Sequence, residues 1–289
     1  MKDQIILNNG KYLPRLGLGA TGIWGKKEDA SVAELMDRQY HIYCHALMSG
    51  KCKLFDTSGA YGHNEEMLGK AVKDSGIERK DVLLMSKISN KQQREGNVRR
   101  ALEKTLSALG VDYVDFYLVH WPQTGTFVQT YKEMEKLYEE GLIRSIGVCN
   151  FHKHHLEELM QEATVVPAVN QFEIHPLFTQ EALINYCYAN DIQPIAYSPV
   201  GRMHDVLIKS RPIYELSQKY QKSAVQIILR WHYQLGRTAI PRTLNKEHFD
   251  DIFDVENFEM TPKEIARISS LNENIRLRYN PDTCDFSRL

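Results

Sequence analysis

The feature that most constrains this chain is a repeating alternation. A short apolar run is followed by a stretch whose apolar residues fall three and four apart, and then by another short run. The short runs are Leu16 to Ala20, Leu54 to Asp56, Val82 to Lys87, Val114 to Val119, Ile143 to Val148, Ala168 to Phe172, Gln193 to Tyr197 and Thr238 to Pro241. Helical spacing fills the intervals, for example Val32, Leu35, Met36, Tyr43, Ala46 and Leu47, or Val98, Ala101, Leu102, Thr105, Leu106 and Leu109. The runs are apolar on both faces, as strands of a parallel sheet covered by helices must be. Eight strand–helix units in 289 residues predict a closed (β/α)8 TIM barrel rather than an open sheet. No Gly/Ser/Pro linker or break in composition divides the chain, so residues 1–289 are read as a single domain.

Local signals punctuate this pattern. Ile5 to Leu7, Asn9-Gly10 and Tyr12-Leu13 predict a β-hairpin on a two-residue Asn-Gly turn. Ser31 with Glu34, Ser223 with Gln226, and Thr261 with Glu264 have capping-box spacing, and Thr179 is placed at the start of another helix. The tail from Asn272 is irregular and polar.

Composition removes several function classes. Net charge is −1 and no basic tract stands out, so neither a nucleic-acid partner nor an anionic membrane surface is expected. No apolar run approaches the roughly 20 residues of a membrane span, and the N-terminus shows no apolar leader core. The five cysteines (Cys44, Cys52, Cys149, Cys187, Cys284) are scattered and form no C-x-x-C pair. Reduced thiols and a cytoplasmic location are the expectation.

In a barrel of this kind function gathers at the C-terminal ends of the strands. Those ends read Asp56 with Tyr61, Lys87, His120, Asn150, Gln171, Tyr197, and Arg242-Thr243. Singly, each has an ordinary structural explanation: a helix-capping acid, a lysine leaving a strand, a satisfied histidine. Together on one rim they suit proton donation to a carbonyl during hydride transfer. A phenol with a pKa of about 10 is a poor acid at neutral pH, and a nearby ammonium lowers it. Lys87 can supply that charge, Asp56 can hold Lys87, and His120 can orient the substrate oxygen. Asn150 and Gln171 can grip a carboxamide, and Tyr197 offers a flat face for an aromatic ring.

These residues sit in stretches that resemble the aldo-keto reductase family over nearly the whole chain: FDTSGAYGHNEEMLGKAV, LLMSK, DFYLVHWP, GLIRSIGVCNF, AVNQFEIHP, IAYSP and AIPRT. The resemblance implies a (β/α)8 barrel that uses a nicotinamide cofactor without a metal, with the N-terminal hairpin capping the barrel bottom. It implies a catalytic set of Asp56, Tyr61, Lys87 and His120, with Tyr61 giving the proton and nicotinamide C4 the hydride. It implies cofactor contacts from Cys149, Asn150, Gln171, Tyr197, Ser198, Pro199, Arg242, Thr243, Leu244 and His248. Trp24, Tyr61, His120 and Trp121 are expected to line the substrate pocket, with the C-terminal tail as a further wall. A monomer or weak homo-oligomer acting on small carbonyl compounds follows.

Departures from the family pattern carry expectations of their own. Cys149 stands where Ser is usual, Arg242 where Lys is usual, and His248 where an adenosine-stacking Arg is usual. A histidine is mostly uncharged at neutral pH. NADPH is therefore expected with a reduced preference over NADH. The connection after His120 is short, which suggests an open pocket. Gly17, Gly19 and Gly22 fit G-x-G-x-x-G, but no helix follows directly, so a dinucleotide-binding open sheet is set aside. His152, His154 and His155 with Cys149 nearby lack the helical pair spacing of a zinc site, and no metal is expected. A metal-dependent hydrolase would need His-x-His at a strand end, which is absent. The rival from another class is a non-catalytic cofactor-binding regulatory or sensor subunit on the same barrel. Retention of Asp56, Tyr61, Lys87 and His120 together argues against it.

Overall fold

The structure is a computed structural model that describes residues 4–286. Ten strands alternate with helices. A hairpin of β1 (Gln4–Ile6) and β2 (Tyr12–Pro14) precedes eight parallel strands: β3 (Leu18–Gly19), β4 (Leu54–Asp56), β5 (Leu83–Ile88), β6 (Phe116–Val119), β7 (Ile146–Cys149), β8 (Val169–Glu173), β9 (Gln193–Tyr197) and β10 (Thr238–Ile240). Each pairs with the next in chain order. The ring closes where Leu16 bridges Ala239, with the Gly17 amide donating to the Ala239 carbonyl at 3.0 Å and Gly19 to Pro241 at 2.8 Å. The predicted (β/α)8 barrel is therefore present, and the glycine run from Gly17 serves its seam. The next helix, Ala30–Ser49, begins well beyond that run.

Strand alternation divides the core in two. Leu54, Leu83, Met85, Phe116, Leu118, Val169, Ile195 and Ile240 fill the barrel interior. Phe55, Leu84, Tyr117, Val119, Val148 and Phe172 face outward into the layer shared with the helices. Leu7 and Leu13 of the hairpin join the interior cluster, so the hairpin plugs one end. Asn9 Nδ2 bonds Ser145 Oγ at 2.9 Å and Thr238 Oγ1 bonds the Pro14 carbonyl at 2.8 Å. Ser145 precedes β7 and Thr238 starts β10, so the plugged end is the N-terminal one.

Local expectations fared unevenly. The hairpin turn is a three-residue loop: Leu7 and Lys11 pair, and the Gly10 amide returns to the Leu7 carbonyl with Gly10 at φ 74°. Only the glycine adopts the left-handed conformation, so Asn9-Gly10 is not a two-residue turn. Ser223 and Thr261 form the capping boxes read from the sequence. Ser31 does not. The first helix starts at Ala30 behind an extended Asp29, which leaves Ser31 inside the first turn. Gln180, not Thr179, precedes the helix Glu181–Ala189, because the Thr179 amide is bonded to Asn272 Oδ1 at 3.2 Å. A further helix, Asn90–Glu95, opens with a Ser89–Gln92 capping box and carries no apolar periodicity to announce it. Among the described residues, no helix is long and apolar enough to cross a membrane.

Candidate active site

The period of two along each strand aims a set of polar side chains into the barrel just above the apolar interior. Asp56 ends β4 two residues after inward Leu54, and Lys87 lies two after Met85. His120 follows β6 two after Leu118, Gln171 lies two after Val169, and Tyr197 two after Ile195. The barrel thus converts strand register into one ring of functional groups.

At its centre lies a buried ion pair. Lys87 Nζ is 2.6 Å from Asp56 Oδ1 and 2.8 Å from the Thr57 carbonyl. Lys87 is wholly buried and the Asp56 side chain is 7% exposed, so the pair is shielded from water. Burial alone would favour loss of the lysine proton, but the Asp56 carboxylate outweighs it and holds the ammonium above its ordinary range. Gln171 Nε2 donates to the same Asp56 oxygen at 2.9 Å.

Tyr61 reaches this centre from the turn after β4. The first loop is zipped to that turn: the Ile23 amide bonds the Tyr61 carbonyl at 3.0 Å, and the His63 amide bonds the Ile23 carbonyl at 2.9 Å. Gly62 makes this approach feasible, because it sits at φ +62° and a Cβ there would lie 1.8 Å from the Ile23 oxygen. Lys87 Nζ is 5.3 Å from the Tyr61 ring centre, and the His120 ring meets it edge-on at 5.6 Å. No hydrogen bond holds the Tyr61 hydroxyl among the described residues.

Burial raises the Tyr61 phenol above its ordinary value, and the Lys87 ammonium lowers it only in part. Lys87 acts on the phenol in the expected direction, but burial outweighs it, so Tyr61 rests protonated. His120 is held well below its usual range by burial, then by the charges of Lys87 and Arg278, so it is a neutral imidazole. Its Nδ1 lies 3.2 Å from Ser58 Oγ, which also accepts the Ala60 amide at 3.1 Å. The Ser58 hydroxyl lies 3.4 Å from the Lys87 carbonyl as well; when it donates to Nδ1 instead, the proton of His120 sits on Nε2. Ser58 carries no role in the sequence reading, although it lies in the same turn as Asp56 and Tyr61.

The expected cofactor residues fall on the rim from β7 to β10. Asn150 takes a left-handed conformation (φ 65°), donates to the His120 carbonyl at 3.0 Å and accepts from the Tyr197 hydroxyl at 2.6 Å. Gln171 lies deeper, between Asp56 and the Cys149 sulfur at 3.6 Å. Burial pushes the Cys149 thiol up, so it is an inert neighbour. Ser198 turns the chain after β9 with φ 48°, and His232 Nε2 meets the Pro199 carbonyl at 3.0 Å. Beyond β10, Arg242 and His248 are exposed, with Thr243 and Leu244 partly buried between them. Asn245 Oδ1 caps the helix Lys246–Ile252 through the His248 amide at 2.8 Å.

Of the pocket residues, Trp24 stands exposed beside Tyr61, its indole bonded to the Ala60 carbonyl at 2.9 Å. Trp121 is buried, because the tail covers it: Tyr279 and Phe286 each place a ring 6.5 Å away. The tail thus supplies the wall that the short connection after β6 leaves open.

Histidines 152 and 155 meet Asp282 from the tail, their nearest ligand atoms within 4.8 Å of one another. Hydrogen-bond roles assign their protons. Arg276 can only donate, and it lies 3.1 Å from His152 Nε2, so Nδ1 carries the proton toward Asp282 at 2.9 Å. His155 Nδ1 accepts the His152 amide at 3.1 Å, so its Nε2 carries the proton. No lone pair from these two rings then faces Asp282. The cluster works as a neutral latch between the tail and the helix Lys153–Glu162.

A family model described as the Aldo/keto reductase family matches residues 15–273. A glyoxal reductase of Bacillus subtilis is 36% identical over 283 residues, 98% of this chain and 97% of that protein. An aldo-keto reductase from a Medee basin deep-sea metagenome superimposes with a TM-score of 0.88 at 33% identity, covering 97% of this chain and 99% of that one. An aldo-keto reductase complexed with NADPH gives 0.83 at 26% identity, covering 94% and 88%. With this barrel and this rim, the chain is a TIM-barrel oxidoreductase. It belongs to the aldo/keto reductase family.

Proposed function

We propose that the chain reduces aldehydes and ketones to alcohols with NADPH, and that Tyr61 donates the proton. The observation that carries this reading is the buried Lys87–Asp56 pair at 2.6 Å beneath the Tyr61 ring and beside a neutral His120. The rim fits the dinucleotide. Arg242 and His248 are exposed, and neither has an ionic partner among the described residues, which suits a 2′-phosphate. Asn150 and Tyr197 present an amide and a phenol ring at the barrel mouth. The bound nucleotide supplies the hydride.

The protein's part is positioning and proton transfer. His120 Nε2–H and the Tyr61 hydroxyl together bind the carbonyl oxygen. As that oxygen becomes an alkoxide, which is far more basic than a phenolate, the Tyr61 proton moves to it despite its raised pKa. Lys87 stabilises the phenolate left behind, and Asp56 keeps Lys87 charged and aimed. Asn150, Gln171 and Tyr197 are the nicotinamide-side contacts of this reading. Gln171 would first have to release Asp56, to which it is bonded at 2.9 Å. Small aldehydes and α-dicarbonyls are the first substrates to test, since the Bacillus subtilis relative is a glyoxal reductase. The Tyr61→Phe protein should bind NADPH as tightly as the parent while losing at least about a hundredfold in kcat, the usual contribution of a positioned acid. Full activity in that variant would overturn the assignment. Tight nucleotide binding without any turnover in the parent protein would favour the sensor reading instead.

A further inference from the structure

Carbonyl reduction at this rim requires a proton on His120 Nε2, because Nδ1 faces the protein at Ser58. A neutral imidazole carries a single proton, and the partner of one ring nitrogen decides what the other presents. Here that partner is the Ser58 hydroxyl, 3.2 Å from Nδ1. Among the described residues no other group bonds that nitrogen.

Ser58 is held in place at the ring. It is fully buried, and its neighbours in the chain are clamped to β5 on both sides. The Thr57 amide bonds the Met85 carbonyl at 2.8 Å, and the Gly59 amide bonds the Lys87 carbonyl at 3.2 Å. The Ser58 carbonyl accepts the Tyr61 amide at 2.9 Å. One short turn therefore carries both the hydroxyl that meets His120 and the phenol that works beside it.

Two arrangements satisfy these atoms. In the first, the Ser58 hydroxyl donates to Nδ1, and His120 is protonated on Nε2. In the second, Nδ1 carries the proton and donates to Ser58 Oγ, while the hydroxyl turns to the Lys87 carbonyl 3.4 Å away. Ser58 Oγ accepts the Ala60 amide at 3.1 Å in either case. The second arrangement asks Oγ to accept two N–H groups and to donate over the longer distance. Its acceptor, the Lys87 carbonyl, already holds the Gly59 amide. The first uses the shorter contact, with one bond in and one bond out. The second also turns the Nε2 lone pair toward an incoming carbonyl oxygen, which repels it.

We propose that Ser58 is a positioning residue for the reduction: its hydroxyl donates to His120 Nδ1 and so keeps the Nε2 proton aimed at the substrate oxygen. The proposal rests on the reductase reading and adds the residue that sets the tautomer this reading requires.

The test combines a spectrum with kinetics. Long-range proton–nitrogen correlation spectra of protein labelled at the histidine nitrogens report which ring nitrogen is protonated, and His120→Gln identifies the His120 signals among the 11 histidines. The parent should show Nε2 protonated and Nδ1 free, and Ser58→Ala should move His120 toward protonation at Nδ1. Turnover of glyoxal with NADPH should fall roughly tenfold in kcat in Ser58→Ala, the low end for a group that orients a functional histidine, with NADPH affinity unchanged. Ser58→Thr, which keeps the hydroxyl, should recover most of that loss. In a His120→Gln background, Ser58→Ala should change kcat less than twofold, because there is no tautomer left to set. An equal loss in both backgrounds would reduce Ser58 to a packing role and overturn the proposal. So would a parent protonated at Nδ1, or a Ser58→Ala protein with the parent tautomer and kcat within twofold. A parent that turns over no carbonyl defeats the reductase reading instead. The spectra still decide the part of Ser58 in that case: Nε2 protonated in the parent and lost in Ser58→Ala supports it, and the same tautomer in both overturns it.

Discussion

Replacing Lys87 with Met tests the buried pair where it is most exposed to refutation. Methionine fills nearly the same space but leaves the Asp56 carboxylate, 7% exposed, without its cation. Gln171 still donates to it at 2.9 Å, which offsets part of the loss. Removing one partner of a buried pair costs about 3–5 kcal/mol, and the Gln171 bond places this case at the lower end, about 3 kcal/mol. For a chain of this length the entropy of unfolding is on the order of 0.6 kcal/mol per degree, so Tm should fall by about 5 °C. Asp56→Asn should cost a similar amount, because it leaves the buried ammonium with neutral acceptors only. The double variant should cost clearly less than the two single losses added, since no unpaired charge remains. Denaturant titration with a constant m-value provides the assay. Additive single losses, or a Lys87→Met midpoint equal to that of the parent, would refute the reasoning.

Three further outcomes follow from other parts of the molecule. Gly62→Ala should unfold the protein or destabilise it by several kcal/mol, because the new Cβ would lie 1.8 Å from a backbone oxygen in a left-handed position; thermal melts check this. His155 is depressed to about 4, first by burial and then by His154, while the unfolded chain titrates near 6.5. The unfolded state therefore binds more protons between those values, and stability should fall as pH drops from about 6.5 to 4, with a smaller fall in His155→Gln. A flat Tm across that window in the parent would contradict the account. Arg242→Ala should weaken NADPH binding about tenfold while changing NADH binding little, and equal losses in titration would show that Arg242 does not meet the 2′-phosphate.

Strand positions were legible because parallel strands buried on both faces must be apolar throughout, and their inward positions follow from a period of two. That is why the sequence places Asp56, Lys87, His120, Gln171 and Tyr197 on one rim. Short polar elements were less legible. Asn90–Glu95 forms through its cap rather than through an apolar face, and Ser31 had the spacing of a cap without the position. Burial of Tyr61 was invisible too, since it depends on the whole rim, and it reversed the direction expected for the phenol. The anchoring of the tail was the least readable part. Leu277 meets Glu173 across 104 residues, and no local pattern announces a pairing at that separation.

The central claim is that the Tyr61 hydroxyl supplies the proton during carbonyl reduction. The most direct measurement follows loss of the reduced-nicotinamide absorbance with NADPH and glyoxal, in the parent and in Tyr61→Phe, with NADPH binding measured by fluorescence in both. The account predicts turnover in the parent, none above background in the variant, and the same NADPH affinity. Turnover retained by Tyr61→Phe would contradict it.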